Sequence, residues 1–297
     1  MENFKSGFIA IVGRPNAGKS TVLNRLVGAK IAITTAKPQT TRNQILGILN
    51  EDAYQMIFVD TPGVHRSKTR LGDYMNHAAI GAISSVDAAL LMADATRGFG
   101  PAEERIIEEL TAKKIPAVLG LNKIDRMTRE ALLPQIATYA EKYNFSAIIP
   151  ISAKTGDGVD ILLSELEKFL LPGPMYYPED MITDKTEREI VAEFIREKLL
   201  SYLDQEIPHG TAVEIMEMKD DKKVCRISAD IVCEKASHKS IIIGKGGVML
   251  KRIGTAARQE AEAFFGKKIY LQLFVKVKDD WRNSNFMLKN LGYSDKE

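Results

Sequence analysis

The residues best suited to chemistry in this chain lie between Gly13 and Ser20, in the sequence GRPNAGKS. The spacing G-x-x-x-x-G-K-[ST] is that of a loop whose backbone N–H groups surround phosphates, while the lysine reaches the β and γ phosphates. An apolar run at 8–12 precedes the loop and a helical pattern follows it, so the positive end of a helix would face the phosphates. We predict that the following residues contact a nucleotide: Gly13, Arg14, Pro15, Asn16, Ala17, Gly18, Lys19, Ser20 and Thr21.

Two further stretches could complete a Mg²⁺ site around the last phosphate. Asp60 ends an apolar run and starts DTPGV, so its carboxylate is suited to hold the metal, and Gly63 lets the backbone approach the γ-phosphate. In KPQTTRNQ, residues 37–44, we expect Thr41 to ligate the metal, with Thr40 as the second choice, and to release it after hydrolysis. The predicted Mg²⁺ ligands are Ser20, Thr41 and Asp60, and the predicted catalytic residues are Lys19, Thr41 and Gly63. The nucleotide contacts of DTPGV are Asp60, Thr61, Pro62, Gly63 and Val64.

The base would be read at the ends of two later strands. Asn122-Lys123-Ile124-Asp125 follows an apolar run and resembles the NKxD motif of regulatory GTPases, in which the carboxylate accepts hydrogen bonds from guanine N1 and N2. The sequence Ser152-Ala153-Lys154 resembles the companion motif that supports the base. A buried acceptor left unpaired by the wrong base is costly, so we expect GTP and GDP as ligands.

Val64 departs from the pattern of Ras-like enzymes, in which a Gln at this position orients the attacking water. A hydrophobic side chain cannot orient water, so hydrolysis should be slow or should depend on another polar group or an ion. The chain is similar here to GTPases that carry a hydrophobic residue at this position, several of which use K⁺ held partly by an Asn of the phosphate loop. Asn16 occupies that place, and K⁺ binding at Asn16 is a hypothesis.

A second glycine loop, IIIGKGG, lies in the most basic part of the chain. A G-x-x-G loop between helices can press its backbone and a lysine against a nucleic-acid backbone, as in KH domains. Arg258 follows at helical spacing and could extend the phosphate contact. The predicted RNA contacts are Ile243, Gly244, Lys245, Gly246, Gly247, Lys251 and Arg252.

These motifs need two kinds of scaffold. Up to residue 171, strand patterns at 8–12, 44–49, 55–60, 88–93, 117–122 and 147–150 alternate with helical patterns at 19–27, 103–113, 129–143 and 160–170. This alternation predicts an α/β P-loop domain, with a mostly parallel six-stranded sheet and helices on both faces. The ligand would bind at the carboxyl ends of the strands.

The second scaffold follows a stretch rich in proline, LPGPMYYPED. Its elements are a helix at 187–203, strands at 211–218 and 224–233 around the turn 219–222, helices flanking GxxG, and a strand at 269–278. That order matches a smaller α+β type II KH domain. The predicted division is 1–171 for the GTPase domain, 172–186 for a linker and 187–297 for the KH domain with its tail, in which Trp281 anchors the C-terminal residues.

Composition limits the cellular setting. Net charge is +2, from 41 basic and 39 acidic residues, but residues 235–278 carry 10 Lys or Arg against 2 Asp or Glu. The 2 cysteines are too few for a secreted disulfide framework, so we expect no disulfides, a reducing cytosol, and both cysteines buried in strands. We find neither a signal-peptide pattern nor an apolar run long enough to span a membrane, which predicts a cytoplasmic protein or one attached peripherally to a membrane.

Taken together, GRPNAGKS, PQTTR, DTPGV, NKID, SAKTG, YYPED, FIREKLL, IIIGKGG and FVKVKDDW resemble the bacterial Era GTPases over almost the whole chain. The resemblance implies a GTP-controlled factor in small (30S) ribosomal subunit assembly that binds 16S ribosomal RNA near its 3′ end. It also implies peripheral association with the inner face of the cell membrane. The alternative is a constitutive RNA-binding scaffold in which the nucleotide is structural. A GTPase serving RNA modification is a third reading, for which we find no catalytic Cys/His cluster.

Overall fold

A computed structural model describes residues 4–35, 37, 40–64, 69–221 and 224–293. The chain divides into two compact units. The first contains the described residues of 1–32, 41–67 and 75–184, and the second contains those of 33–40, 68–74 and 185–297. The second unit therefore includes two short segments from the first half of the sequence. The boundaries at 171 and 186 stay predictions.

A sheet of seven strands forms the centre of the first unit. The strands are β1 (Lys5–Val12), β2 (Ile45–Glu51), β3 (Tyr54–Asp60), β4 (Ala88–Asp94), β5 (Ala117–Asn122), β6 (Ala147–Ile151) and the two-residue β7 (Leu171–Pro172). Their order is β2-β3-β1-β4-β5-β6, and β7 pairs with β1. Only β2 and β7 run antiparallel to their neighbours, so the mostly parallel sheet is confirmed, with β7 added to the six predicted strands.

Helices cover both faces of this sheet. They are α1 (Lys19–Val27), α2 (Arg70–Gly81), α3 (Pro101–Lys113), α4 (Arg129–Lys142) and α5 (Val159–Glu167), and the first residues of α2 belong to the second unit. Alternate residues of β1 point to opposite faces. Ile9 and Ile11 pack with α1 and α5, whereas Ala10 and Val12 pack with α2, α3 and α4. The sheet is thus apolar on both sides, which leaves its carboxyl edge for polar chemistry.

Most of the predicted linker packs in the first unit. The buried Gln55 side chain accepts hydrogen bonds from the backbone N–H groups of Tyr176 and Tyr177, at 2.8 and 3.0 Å. The Ile48 N–H donates to the carbonyl of Ile182 at 2.9 Å. Residues 176–184 therefore lie along β2 and β3 and have fixed partners there.

The second unit contains a three-stranded sheet and four helices among its described residues from 185 on. Its elements are α6 (Glu187–Tyr202), β8 (Ala212–Asp221), β9 (Val224–Cys233), α7 (Ala236–Ile243), α8 (Val248–Phe265), β10 (Ile269–Val277) and α9 (Asn285–Asn290). The strand order is β10-β9-β8, with β8 antiparallel and β10 parallel to β9. The KH order of elements is confirmed, and residues 222–223 beside the predicted turn lie outside the described residues.

Helix α6 contributes many residues to the core of this unit. It begins with a capping box formed by Thr186 and Glu189. Phe194 and Ile195 of α6 pack with both cysteines, which are free and buried. Trp281 is also fully buried, and its indole N–H donates to the carbonyl of Gly210 at 3.0 Å. This bond fixes the segment that leads to α9, as predicted for the tail.

Candidate nucleotide site and nucleic-acid interface

The phosphate loop lies between β1 and α1, as its motif requires. The Lys19 ammonium is buried and donates to the carbonyls of Gly13 and Arg14, each at 3.1 Å. Burial lowers the pKa of Lys19 to about 8, against the opposing effect of Asp60. A phosphate at this loop would add negative charge beside this buried cation and so favour its protonated form.

Three side-chain oxygens meet beside this loop. The Ser20 hydroxyl donates to Asp60 Oδ2 at 2.7 Å and lies 2.8 Å from Thr41 Oγ1. Asp60 is fully buried, and its other oxygen, Oδ1, has no hydrogen-bond partner among the residues that the structure describes. Burial raises the pKa of Asp60 to about 6, although Lys19 and Ser20 lower it.

This oxygen cluster fits a Mg²⁺ ion. Mg²⁺ prefers oxygen ligands and is usually held by one or two protein groups together with substrate phosphates. A bound cation would pair with the unpartnered Asp60 Oδ1 and would favour the ionised carboxylate. Among the described residues there is no group of three or more His, Cys, Asp or Glu that could hold a metal.

The two candidate threonines of 37–44 have different surroundings. Thr41 belongs to the oxygen cluster, whereas the Thr40 hydroxyl donates to the carbonyl of Lys37 at 2.7 Å and lies 2.8 Å from Thr35 Oγ1. The geometry favours Thr41, the first choice from sequence. Pro38 and Gln39 of the same stretch lie outside the described residues.

The DTPGV segment touches the phosphate loop through its glycine. A Cβ atom on Gly63 would lie 2.6 Å from the backbone nitrogen of Pro15, so only glycine fits at this approach. The Thr61 hydroxyl donates to the carbonyl of Ile11 at 2.9 Å, which holds the segment against β1. Val64 is buried in the apolar core that α3 covers, so its side chain is not available to water. Pro62 follows β3 between these residues.

One asparagine connects the phosphate loop to the loops that are predicted to bind the base. Asn122 donates to the carbonyl of Ala17 at 2.8 Å, and its Oδ1 accepts from the N–H of Ala153 at 2.9 Å. The Ser152 hydroxyl donates to Asp125 Oδ1 at 2.8 Å, which orients this carboxylate. The structure therefore brings the NKID and SAK residues together beside the phosphate loop.

The sequence analysis did not identify the contacts that support these loops. Arg25 of α1 donates to the carbonyls of Ala153 and Lys154 at 2.9 and 2.7 Å. Lys123 forms a 2.6 Å ion pair with Asp94 at the end of β4. These partners are distant along the chain, so no local motif marks them.

Arg14 also has a partner that the motif does not reveal. Its Nε lies 2.8 Å from the fully buried Glu103 carboxylate, and its guanidinium donates to the carbonyl of Gly98 at 2.8 Å. The Arg14 side chain thus anchors the loop to α3. Its predicted contact with the nucleotide would come from the backbone.

The GxxG loop connects α7 and α8 in the second unit. Gly244 has φ 74°, and a Cβ there would lie 2.8 Å from the Cβ of Met249, so the turn requires glycine. The cations Lys245, Lys251 and Arg252 are exposed, and Gly246, Gly247 and the half-buried Ile243 complete the predicted set.

Apolar and aromatic side chains accompany these cations, and the sequence analysis did not single them out. Ile241 and Val248 flank the loop and are 48% and 70% exposed. The Arg252 guanidinium lies 4.2 Å from the centre of the Tyr202 ring. An exposed basic loop with apolar neighbours can bind a phosphate backbone and bases together.

Comparison with known proteins gives consistent matches over nearly the whole chain. Residues 8–123 match the family described as 50S ribosome-binding GTPase, and residues 206–282 match the KH domain. GTPase Era of Clostridium acetobutylicum is 50% identical over 290 residues, 98% of each chain. GTPase Era of Clostridium botulinum (strain Kyoto) is 51% identical over 291 residues, also 98% of each.

Two solved structures superpose closely. One is Era in complex with MgGDPNP and nucleotides 1506–1542 of 16S ribosomal RNA, with a TM-score of 0.95, 39% identity, and coverage of 98% of this chain and 99% of that one. The other is an Era variant of Aquifex aeolicus bound to GDP and AlF4⁻, with the same TM-score and identity and coverage of 98% and 100%.

Proposed function

Because the chain belongs to the Era family of GTPases, we propose that it binds GTP with Mg²⁺ in the first unit and 16S ribosomal RNA through the KH domain. It hydrolyses GTP to GDP and phosphate and assists small ribosomal subunit assembly. The observation that carries this proposal is the meeting of Ser20, Thr41 and Asp60 beside the buried Lys19. A relative at 39% identity binds MgGDPNP and nucleotides 1506–1542 of 16S ribosomal RNA.

The chain's own residues would act on the triphosphate by position and charge. Lys19 would leave the carbonyls of Gly13 and Arg14 for the β and γ phosphates. Ser20, Thr41 and Asp60 would hold Mg²⁺, which neutralises charge on the phosphates when bound. Gly63 would present its backbone to the γ-phosphate.

Guanine would be selected by Asp125. Its carboxylate accepts a hydrogen bond from Ser152 and keeps further acceptor capacity for guanine N1 and N2. Asp125→Asn should relax the preference for guanine over xanthine nucleotides, with Asp157→Asn as the control carboxylate. An unchanged preference would count against the base contact.

Hydrolysis would be slow, because the buried Val64 cannot orient water. Asn16 has a positive φ of 64° in the phosphate loop and is the residue that we propose for K⁺. The rate of hydrolysis should be higher in K⁺ than in Na⁺, and Asn16→Ala should remove the difference. Equal rates in both salts would exclude this role.

RNA binding would use the GxxG loop and the cations after it. Lys245→Glu reverses an exposed charge without changing the core, so it should weaken RNA binding and leave GTP affinity unchanged. Lys289→Glu, on α9, is a matched control. Equal RNA affinity of the Lys245 variant and wild type would contradict the loop assignment.

The main alternative is a scaffold whose RNA affinity does not depend on the nucleotide. The full chain should be titrated with an RNA of nucleotides 1506–1542 in the presence of GDPNP or GDP. Different affinities support a switch, and equal affinities support the scaffold. Lys19→Ala is the control, since it should abolish the nucleotide effect by weakening nucleotide binding.

Peripheral attachment to the inner face of the cell membrane is part of the proposal and rests on the family resemblance. In the described part of the chain, no helix has the length and apolarity to cross a membrane. Flotation with vesicles of anionic lipid would test attachment directly.

A further inference from the structure

We propose that α6 links the nucleotide site to the RNA site, with Arg196 as the positioning residue that ties 33–40 to this helix. The inference rests on the proposed function, since it assumes that GTP and RNA bind at the two sites described above. It assigns the coupling between them to particular contacts within the second unit.

The described residues of 33–40 are anchored at three points, two on α6 and one at Leu203, the residue that follows this helix. The Thr34 N–H donates to Glu197 Oε1 at 2.9 Å. Arg196 donates to the carbonyl of Thr40, and the Lys37 ammonium donates to the carbonyl of Leu203. Ile33 is 2% exposed and belongs to the apolar core of this unit. The segment is thus part of the second unit's fold.

Arg196 is itself rigidly held. Its side chain is 1% exposed, and its guanidinium donates to both oxygens of Glu193, at 2.8 and 2.6 Å. This pairing from a neighbouring turn of α6 fixes the donor that meets Thr40. The carbonyl of Thr40 is therefore hydrogen-bonded to a guanidinium group that cannot readily move with it.

The next residue along the chain is Thr41, which belongs to the oxygen cluster of Ser20 and Asp60. Adjacent Cα atoms are about 3.8 Å apart, so Thr41 cannot move by several ångströms without moving Thr40. Loss of the γ-phosphate would release Thr41. The movement of Thr41 would then strain the hydrogen bond between Arg196 and the carbonyl of Thr40.

The same helix contacts the helix that follows the GxxG loop. Tyr202, at the end of α6, lies under the guanidinium of Arg252 on α8. Lys198 forms ion pairs with Glu197 on α6 and with Glu260 on α8. Glu197 is also the acceptor for Thr34, so one carboxylate joins the 33–40 segment to the contact between the helices.

A second segment of the first half, residues 69–74, also belongs to the second unit. The Arg70 N–H donates to Asn283 Oδ1 at 3.2 Å, and the Tyr74 ring lies 6.5 Å from that of Tyr293. These two contacts attach residues 70–74 to the C-terminal part of the second unit.

The test is the ratio of RNA affinities in GDPNP and in GDP, measured on the full chain with an RNA of nucleotides 1506–1542. Arg196→Gln and Lys37→Ala each remove one anchor of 33–40. Arg188→Gln is a matched control, because Arg188 is on the same helix and also donates to a backbone carbonyl, that of Ile215. Circular dichroism checks that each variant folds. If Arg196→Gln does not fold, the Lys37→Ala variant provides the test of the α6 link.

We expect a wild-type ratio of about fivefold or more, in the range of known allosteric couplings, and a ratio near one in both anchor variants. The conservative variant Arg196→Lys should retain part of the wild-type ratio. In the anchor variants, the affinity for GDPNP without RNA should stay close to that of wild type. Anchor variants that keep the wild-type ratio overturn the α6 link alone. A wild-type ratio of one, or no RNA binding in either state, overturns the link together with the switch or with the RNA assignment.

Discussion

Asn122 joins the phosphate loop to the SAK loop, and Asn122→Ala would separate them. The substitution leaves the carbonyl of Ala17 and the N–H of Ala153 without their partners in a site where Asn122 is 3% exposed. Each buried group left unpaired costs about 1–3 kcal/mol, and water entering the vacated space recovers part of this. We expect the free energy of unfolding to fall by about 2–4 kcal/mol.

The same change should weaken GDP binding by roughly tenfold or more, which corresponds to about 1.4 kcal/mol, because both loops must be ordered around the ligand. Urea unfolding of the nucleotide-free chain, followed by circular dichroism, gives the first quantity, and titration with fluorescent GDP gives the second. The fluorescence of Trp281 reports on the second unit and should change less.

Asn50→Ala is the matched control for this experiment. Asn50 donates to the carbonyls of Glu179 and Met181 at 2.8 and 3.1 Å, so its loss also breaks two bonds to the backbone. This variant should lose stability but keep its GDP affinity. If Asn122→Ala stayed within about 0.5 kcal/mol of wild type and bound GDP equally well, the joining role would be refuted.

Without nucleotide, the chain should lose stability as the pH rises from about 4 to 6, because the buried Asp60 carboxyl, with its pKa raised from 3.8 to about 6, must then ionise in the folded state. Asp60→Asn should remove about 1–3 kcal/mol of this dependence in urea unfolding at pH 5 and 7; an identical slope would contradict the assignment. Gly63→Ala should weaken GDPNP binding more than GDP binding in a competition titration, because the added Cβ would displace DTPGV from Pro15; equal effects would oppose the γ-phosphate role. Trp281→Phe should destabilise the second unit by about 1–3 kcal/mol in thermal unfolding, since the Gly210 carbonyl loses its donor, and an unchanged transition would deny the bond its role.

The sequence was most informative where chemistry is local. The phosphate loop and Asp60 follow from spacing, and the NKID and SAK residues follow from their resemblance to GTPase motifs. Each motif lies at the end of a strand whose apolar pattern is clear. Parallel strands bring such ends to one edge of the sheet. The order of elements in the KH domain could also be predicted, because the apolar patterns of its elements are clear.

Other features depend on partners distant in the chain. Nothing near Arg25 or Glu103 marks them as supports of the loops, since their contacts are about 90 to 130 residues away. The helix α2 was not predicted, although its buried residues Leu71, Met75 and Ala79 recur at a spacing of four. Small and polar residues between them weaken the pattern.

The assignment of 33–40 to the second unit could not be read from sequence either. Ile33, Thr34 and Lys37 show no periodicity, and the bonding partners of Thr34 and Lys37, on α6 and just after it, lie about 160 residues further along. The segment looks like an ordinary polar loop until the tertiary structure supplies those partners.

The membership of 33–40 and 69–74 in the second unit has a practical consequence for dissecting this protein. A single cut near residue 184 would yield a C-terminal fragment that lacks Ile33 from its core and the acceptor of Arg196. Such a fragment would expose apolar surface and would leave the Arg196 guanidinium with Glu193 but without the Thr40 carbonyl. Expression of the KH region alone should therefore give a less stable and more aggregation-prone product, and adding a synthetic peptide of residues 33–40 should improve its solubility.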